Sequence, residues 1–271
     1  MYALTVWLDI IPLRDCVLPP FTSKVTRTAF AHLTGIVPKL GRRASFSLLF
    51  RDGKPIYKVY DERSSVKPLI AREGEKLRTR YSLLIEKVPE PPSASMVFQF
   101  GAAELVARIE QIEVVDVNEL WLDLPRKFVI HFLTPTLLPV PGRGSLMKAL
   151  GVRRRYRLLP DLPLALALLV HDFRLQGFEI VKRSFSEVYR WSLKALSELD
   201  YQVKPVTVLY GMKDGRPITE RGFTGYVAYE LLDLNSSMTD DLKRLLGYAS
   251  RFGLGKSRGV GFGHVEISSL Q

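Results

Sequence analysis

Residues 253–263 read Gly-Leu-Gly-Lys-Ser-Arg-Gly-Val-Gly-Phe-Gly, with five glycines and two cations in eleven residues. This glycine-rich segment follows the last predicted helix and precedes the last predicted strand. Because glycine lacks a Cβ, a polyanionic backbone can approach the peptide N–H groups while the two cations neutralise phosphates. We therefore expect a sugar-phosphate strand to bind here, through Gly253, Gly255, Lys256, Ser257, Arg258, Gly259, Gly261 and Gly263.

Three other interpretations could account for the glycines of this segment, and only the first of them stays open. A tight connection whose glycines only supply positive φ angles stays open as an alternative. A P-loop is excluded, because the position that needs its first glycine is Ser250 and the order is helix, loop, strand. The dinucleotide-binding fingerprint fails for the same reason, since no helix begins after the glycines.

The second half of the chain alternates strands and helices outward from this segment. Ser184 with Glu187 forms a capping box that predicts a helix through Leu199. Thr239 or Asp240 is the predicted cap of a last helix that ends near Phe252. The remaining predictions are strands at 127–133, 203–210, 223–232 and 260–267 and a helix at 162–173.

The first half has a comparable order. Thr22 or Ser23 can cap a helix that runs to about Leu33 and is ended by Gly35 and Pro38, with an apolar stripe of Val25, Ala29 and Leu33. Asp52-Gly53 predicts a hairpin between residues 45–50 and 55–60. Strands are predicted at 1–11, 77–88 and 105–117, a short helix at 96–100, and a linker at 118–125. The fold class is therefore α+β, with two tandem ferredoxin-like (RRM-like) domains that have antiparallel sheets, at residues 1–122 and 126–271.

The composition indicates an anionic partner. The formal net charge is +11 with a pI near 9.7, a balance that favours nucleic acid through counterion release. The single Cys16 excludes a disulfide within the chain, and no apolar run is long enough to cross a membrane. We expect a cytoplasmic protein that needs no cofactor, and no pair of its four histidines has metal-ligand spacing.

The glycine-rich segment resembles the signature of the CRISPR-associated RAMP superfamily, in which two Gly-hydrophobic-Gly triplets flank five residues that include Lys or Arg. The triplets are residues 253–255 and 261–263, and residues 256–260 lie between them. Residues 221–225 and 128–136 resemble the CRISPR repeat RNA-processing endoribonucleases within that superfamily (Cas family six).

This resemblance implies two ferredoxin-like domains that bind CRISPR repeat RNA, or precursor crRNA, and cut it without a metal ion. The implied products carry a 2′,3′-cyclic phosphate and a 5′-hydroxyl. The alternative is a non-catalytic RAMP subunit that holds guide RNA in an effector complex. Other CRISPR effector subunits and a second copy of the chain are further partners that the resemblance leaves open.

Histidine suits the proton transfers of such a reaction, because its pKa lies near neutrality. His32 is the leading candidate, since the resembled family often places a catalytic histidine on or just after the first helix. Its position within the apolar stripe of that helix, seven residues after Val25 and three after Ala29, also fits a half-buried structural histidine. Lys39 and Arg42 follow the helix closely and are candidate charge stabilisers, with a solvated basic loop as the alternative.

Two further groups of cations are predicted to bind RNA. Lys24 and Arg27 lie on one side of the first helix. The densest cluster of charge is Arg153, Arg154 and Arg155, next to an aromatic residue, a composition suited to phosphate contacts and base stacking. A merely solvated charge run is the alternative for this cluster.

Overall fold

The computed structural model describes residues 1–36, 43–61, 67–87, 93–140, 156–234 and 236–270. The chain forms two compact units that are not simply consecutive in sequence. Unit 1 contains Met1–Trp121, Thr207–Glu220 and Arg258–Gly261. Unit 2 contains Leu122–Val206, Arg221–Ser257 and Phe262–Gln271.

Unit 1 is built on an antiparallel sheet and one described helix, α1 (Ser23–Thr34). Its strands are β1 (Tyr2–Pro12), β2 (Cys16–Leu18), β3 (Ala44–Phe46), β4 (Phe50–Arg51), β5 (Lys54–Pro55), β6 (Leu69–Ala71), β7 (Leu77–Ile85), β8 (Ser95–Phe100) and β9 (Ala103–Asp116). The sheet has the order β5-β4-β7-β1-β9-β8, with β3 also paired to β7, while β2 pairs with β6.

Helix α1 lies over one face of this sheet. The predicted apolar stripe of Val25, Ala29 and Leu33 is buried, as expected for residues at helical spacing on one face. Phe30 makes an edge contact with Tyr81, with ring centroids 4.8 Å apart. The helix ends at Gly35, whose φ of 68° is the left-handed conformation that glycine adopts without strain.

The predicted short helix at residues 96–100 is wrong, because these residues form β8 and pair antiparallel with β9. Their side chains alternate between the two faces: Phe98 is 3% exposed and Val97 is 53% exposed. This alternation is typical of a strand, and its backbone hydrogen bonds are made with β9. The sequence of five residues does not reveal that a pairing strand is present. The predicted hairpin at Asp52-Gly53 is confirmed, with φ values of 48° and 75° at its turn.

Unit 2 combines an antiparallel sheet with three described helices, α2 (Leu162–Leu175), α3 (Phe185–Ala195) and α4 (Ser237–Phe252). Its strands are β10 (Lys127–Thr136), β11 (Leu138–Pro139), β12 (Tyr156–Arg157), β13 (Leu196–Lys213), β14 (Arg216–Leu231) and β15 (Val265–Ser269). The sheet order is β13-β14-β10-β15, and the tip of the β13–β14 hairpin belongs to unit 1.

Several predicted ends in unit 2 are corrected. The capping box of Ser184 and Glu187 is confirmed, but α3 stops at Ala195 because the following residues enter β13, and Leu232 N–H donates to the Ala195 carbonyl. Helix α4 is capped by Ser236 rather than by Thr239 or Asp240. The last strand begins at Val265, and residues 258–260 form a 3-10 turn instead.

Candidate functional site

Four of the five glycines in the glycine-rich segment have positive φ and lie against other protein atoms. A Cβ on Gly263 would lie 1.9 Å from the Leu254 carbonyl oxygen, and one on Gly253 would lie 2.4 Å from the Gly263 oxygen. Gly255 approaches the Leu137 carbonyl in the same way, and Gly261 approaches Ser23. Gly259 lies in the 3-10 turn Arg258–Val260. These four glycines have the positive φ angles that the alternative interpretation expected, and they also permit close packing within the protein.

The peptide amides of this segment are largely used inside the protein. Lys256 N–H donates to the Leu137 carbonyl at 2.8 Å, and Gly263 N–H donates to the Pro135 carbonyl at 3.0 Å. In all, the amides of six residues donate to carbonyls of the chain: Gly253, Leu254, Lys256, Gly261, Phe262 and Gly263. The expectation of bare amides is wrong at these six positions, since a phosphate could take their hydrogen bonds only by breaking internal ones.

The two cations of the segment differ in exposure. Lys256 is exposed and Ser257, with a φ of 64°, is half-exposed. Arg258 is only 5% exposed, so its guanidinium is held within the protein and is not presented to solvent. A buried charge is costly unless it is paired, and Arg258 has interaction partners within the protein.

Unit 1 places the first turn of α1 against residues 258–261. Ser23 is fully buried, and its hydroxyl donates to the Val260 carbonyl at 2.7 Å. A Cβ on Gly261 would lie 2.6 Å from the Ser23 Cβ, so the two backbones approach as closely as glycine allows. Two segments predicted separately to bind RNA are thereby brought together.

Two predicted RNA-binding cations follow Ser23 on α1, and both are half-buried. Burial, followed by the neighbouring charge of Arg27, lowers the pKa of Lys24 below the usual lysine value. Among the described residues, none accepts a hydrogen bond from the buried Nε of Arg27. Buried donors are nearly always satisfied in folded proteins, so this nitrogen is suited to an acceptor from a ligand.

Lys24 is also held by a residue that the sequence analysis did not single out. Its Nζ lies 4.9 Å from the ring centroid of Tyr210, at the tip of the β13–β14 hairpin. Tyr210 was predicted only as the end of a strand. A contact between residues so far apart in sequence leaves no local pattern, and no motif in the sequence would have found it.

His32 lies on the last turn of α1 and is exposed, so the alternative of a half-buried structural histidine is wrong. Its ring centroid is 5.8 Å from that of Phe98. The helical rise separates the backbones of Lys24 and His32 by about 12 Å along the axis. The two side chains therefore lie on one helix, but not on one turn, and Lys24 is half-buried whereas His32 is exposed.

Several predicted site residues lie outside the described part of the chain. These are Lys39, Arg42, Arg153, Arg154 and Arg155. Arg43 is described and exposed, and it forms an ion pair with Glu86 at 3.6 Å. Within the described ranges, no three His, Cys, Asp or Glu side chains gather as metal ligands, and no helix is long and apolar enough to cross a membrane.

The sequence matches two family models that together cover most of the chain. Residues 4–115 match the model described as Cas6 N-terminal domain. Residues 130–265 match the model described as CRISPR-associated endoribonuclease Cas6. One curated relative, CRISPR-associated endoribonuclease Cas6 1 of Saccharolobus solfataricus, is 26% identical, and the alignment covers 97% of this chain and 95% of the relative.

Solved structures with the same fold include a Cas6 product complex, with a TM-score of 0.63 at 16% identity over 98% of this chain and 100% of that chain. Thermus thermophilus Cas6 gives a TM-score of 0.60 at 15% identity, with 98% of each chain covered. A Cas6-related protein from Pyrococcus furiosus gives 0.56 at 15% identity over 99% and 100%. The predicted fold class, two ferredoxin-like domains with antiparallel sheets, is confirmed.

Proposed function

The chain belongs to the Cas6 family of CRISPR-associated endoribonucleases, and from this premise we propose that it cuts CRISPR repeat RNA without a metal ion. Membership makes it an endoribonuclease that processes CRISPR RNA. The proposal adds the mechanism and the residues that carry it. A cytoplasmic location, where the precursor RNA would be met, is part of the same proposal.

In the proposed reaction, the 2′-hydroxyl of one nucleotide is the nucleophile. Its oxygen forms a bond to the adjacent phosphorus while the bond from phosphorus to the 5′-oxygen of the next nucleotide breaks. A base takes the proton of the 2′-hydroxyl, and an acid gives a proton to the leaving 5′-oxygen. The products are a 2′,3′-cyclic phosphate and a 5′-hydroxyl, so atoms and charges balance without an added water or metal.

The observation that supports the proposed cleavage site is the arrangement of cations at the first turn of α1. Lys24 and Arg27 lie half-buried on one side of the helix, next to residues 258–261. Cations held in a partly dehydrated position stabilise developing negative charge more strongly than cations in bulk water. The unsatisfied Nε of Arg27 supports a phosphate oxygen as the missing acceptor.

His32 is the proposed proton-transfer group. Its exposure on the same helix leaves the imidazole accessible to RNA, and an imidazole nitrogen can accept the proton of a 2′-hydroxyl. Lys39 and Arg42 remain proposed charge stabilisers. The exposed Lys256 of the glycine-rich segment is proposed to bind a phosphate of the repeat.

The mechanism is tested with repeat RNA in excess EDTA. We expect cleavage to continue in the chelator, and a single 2′-deoxy substitution at the cut site to abolish it while RNA binding is retained. Cleavage of the deoxy RNA would contradict the internal nucleophile. Loss of cleavage in EDTA that Mg²⁺ restores would contradict metal independence, and intact RNA in every condition would favour the non-catalytic RAMP subunit.

The role of His32 is tested by His32→Ala, with His171→Ala as the matched control, because both side chains are exposed on helices. We expect His32→Ala to slow single-turnover cleavage by about 10²–10⁴-fold, the usual contribution of general acid–base catalysis. His171→Ala should cleave normally. Equal rates for the two variants would remove His32 from the mechanism and leave the choice of nucleophile untouched.

A further inference from the structure

The tip of the β13–β14 hairpin is fixed to unit 1 by backbone hydrogen bonds. Tyr60 N–H donates to the Thr207 carbonyl at 2.8 Å, and Leu209 N–H donates to the Lys58 carbonyl at 2.9 Å. These bonds flank an antiparallel bridge between Val59 and Val208. The backbone position of the next residue, Tyr210, is therefore set by strand pairing.

The ring of Tyr210 is held from one side by an aromatic residue of the core. Its centroid lies 5.5 Å from that of Phe21, in a tilted arrangement that aromatic pairs favour. Phe21 is fully buried, which gives the tyrosine ring a rigid support. Lys24 Nζ lies over the same ring, 4.9 Å from its centroid.

Gly211 completes the surroundings of this ammonium group. A Cβ added to Gly211 would lie 3.1 Å from Lys24 Nζ, so the missing side chain leaves room for the cation. Burial is the largest cause of the lowered pKa of Lys24, which agrees with an ammonium enclosed by neighbouring groups. An unrestrained lysine on a helix surface would instead sample many rotamers.

We propose that Tyr210 is a positioning residue for cleavage, whose ring holds the Lys24 ammonium in place at the first turn of α1 to neutralise a phosphate next to the cut site. The inference rests on the proposed function, because it explains how Lys24 is held in the proposed cleavage site. Tyr210 acts through Lys24 and need not contact RNA. Within unit 1, the tip of the β13–β14 hairpin would thus supply a residue that orients a cation carried by α1.

Tyr210→Leu removes the ring and is the principal test, with Tyr210→Phe as the conservative variant. We expect Tyr210→Leu to lower the single-turnover rate by about tenfold with little change in RNA affinity, because small displacements of a catalytic group reduce the rate more than the binding. Tyr210→Phe should restore most of the rate, since the π face is kept. Tyr201→Leu is the matched control, because Tyr201 lies on the same strand and is 65% exposed.

A double-mutant cycle separates positioning from a general loss of structure. If the ring acts through Lys24, Tyr210→Leu should slow the enzyme no further once Lys24→Gln is present. The inference would be overturned if the rate losses of the two single variants multiplied in the double variant. It would also be overturned if the cleavage rate of each variant simply followed its midpoint of thermal unfolding. Normal cleavage by Tyr210→Leu would overturn it alone, whereas normal cleavage by Lys24→Gln would also remove Lys24 from the proposed site.

Discussion

The first turn of α1 and the glycine-rich segment are both predicted to bind RNA, but they are built in different ways. The segment uses four glycines, six amides and the guanidinium of Arg258 within the protein. The helix turn buries Ser23 and leaves Lys24 and Arg27 half-exposed. The segment therefore packs mainly within the protein and keeps Lys256 exposed, whereas the helix turn keeps two cations partly accessible.

This difference shows that a glycine-rich sequence does not by itself identify a phosphate-binding loop. Close packing between backbones and close approach of a ligand both require glycine, so the sequence alone does not distinguish them. The collisions that a Cβ would make at residues 253–263 indicate packing at four positions. Variants that separate support from charge therefore test the comparison directly.

The largest effect is expected from Gly263→Ala. The positive φ costs about 1–2 kcal/mol and the collision with the Leu254 carbonyl adds about 1–3 kcal/mol, so the free energy of unfolding should fall by both. Gly53→Ala is the matched control, since its φ of 75° is similar but its Cβ would meet no atom within 4 Å. Denaturant unfolding measures both variants, and equal losses would contradict a packing role for Gly263.

The next effect separates the two cations of the segment. Arg258→Gln should lower the free energy of unfolding by about 1.5–3 kcal/mol, because it disrupts a buried charged group that has partners in the structure. Lys256→Gln should change stability by less than about 0.5 kcal/mol, because the side chain is exposed. Thermal and denaturant unfolding measure the stability of both variants. An Arg258→Gln variant that is as stable as the unaltered protein but binds RNA weakly would contradict a structural role for Arg258.

A smaller effect is expected on RNA affinity. Lys24→Gln and Lys256→Gln should each remove one phosphate contact, which reduces the slope of log affinity against log salt by about 0.7–0.9. Lys24→Gln should in addition slow cleavage of bound RNA, while Lys256→Gln should not. Lys182→Gln is the control, since that lysine is exposed and lies in neither region. Unchanged salt slopes for both site variants would refute phosphate binding there.

The smallest effect concerns pH. Burial and the charge of Arg27 lower the pKa of Lys24, so its ammonium loses its proton at a lower pH than an exposed lysine would. The value of kcat/KM should therefore fall as the pH rises through that lowered pKa. In Lys24→Arg this alkaline fall should move to higher pH, because guanidinium stays charged. A fall at the same pH in both proteins would assign it to another group.

Several features that depend on neighbours in sequence were predicted correctly, although the cap of α4 was placed at Thr239 or Asp240 instead of Ser236. The capping box of Ser184 and Glu187 and the helix end at Gly35 each involve residues within one turn. Hydrophobic spacing likewise placed the buried face of α1. Local geometry alone decides these features, so the sequence holds the information in a short window.

Features that depend on distant residues were missed. Phe98 takes part in a strand because β9 is there to pair with it, and Arg258 is buried by residues that no local pattern identifies. The hydrogen bond from Ser23 to Val260 joins positions 237 residues apart. The cation–π contact between Lys24 and Tyr210 also joins residues that are distant in sequence. Sequence reasoning selected the cations of the proposed site but not their supports.

The interleaving of unit 1 has a consequence for synthesis on the ribosome. Residues 207–220 and 258–261 belong to the same unit as residues 1–121, yet they are translated only after residues 122–206 of unit 2. At about 5–20 residues per second, several seconds pass between the synthesis of residues 58–60 and that of the hairpin tip with which they pair. During that interval the backbone groups of Lys58 and Tyr60 lack the hydrogen-bond partners that the hairpin tip supplies in the folded unit.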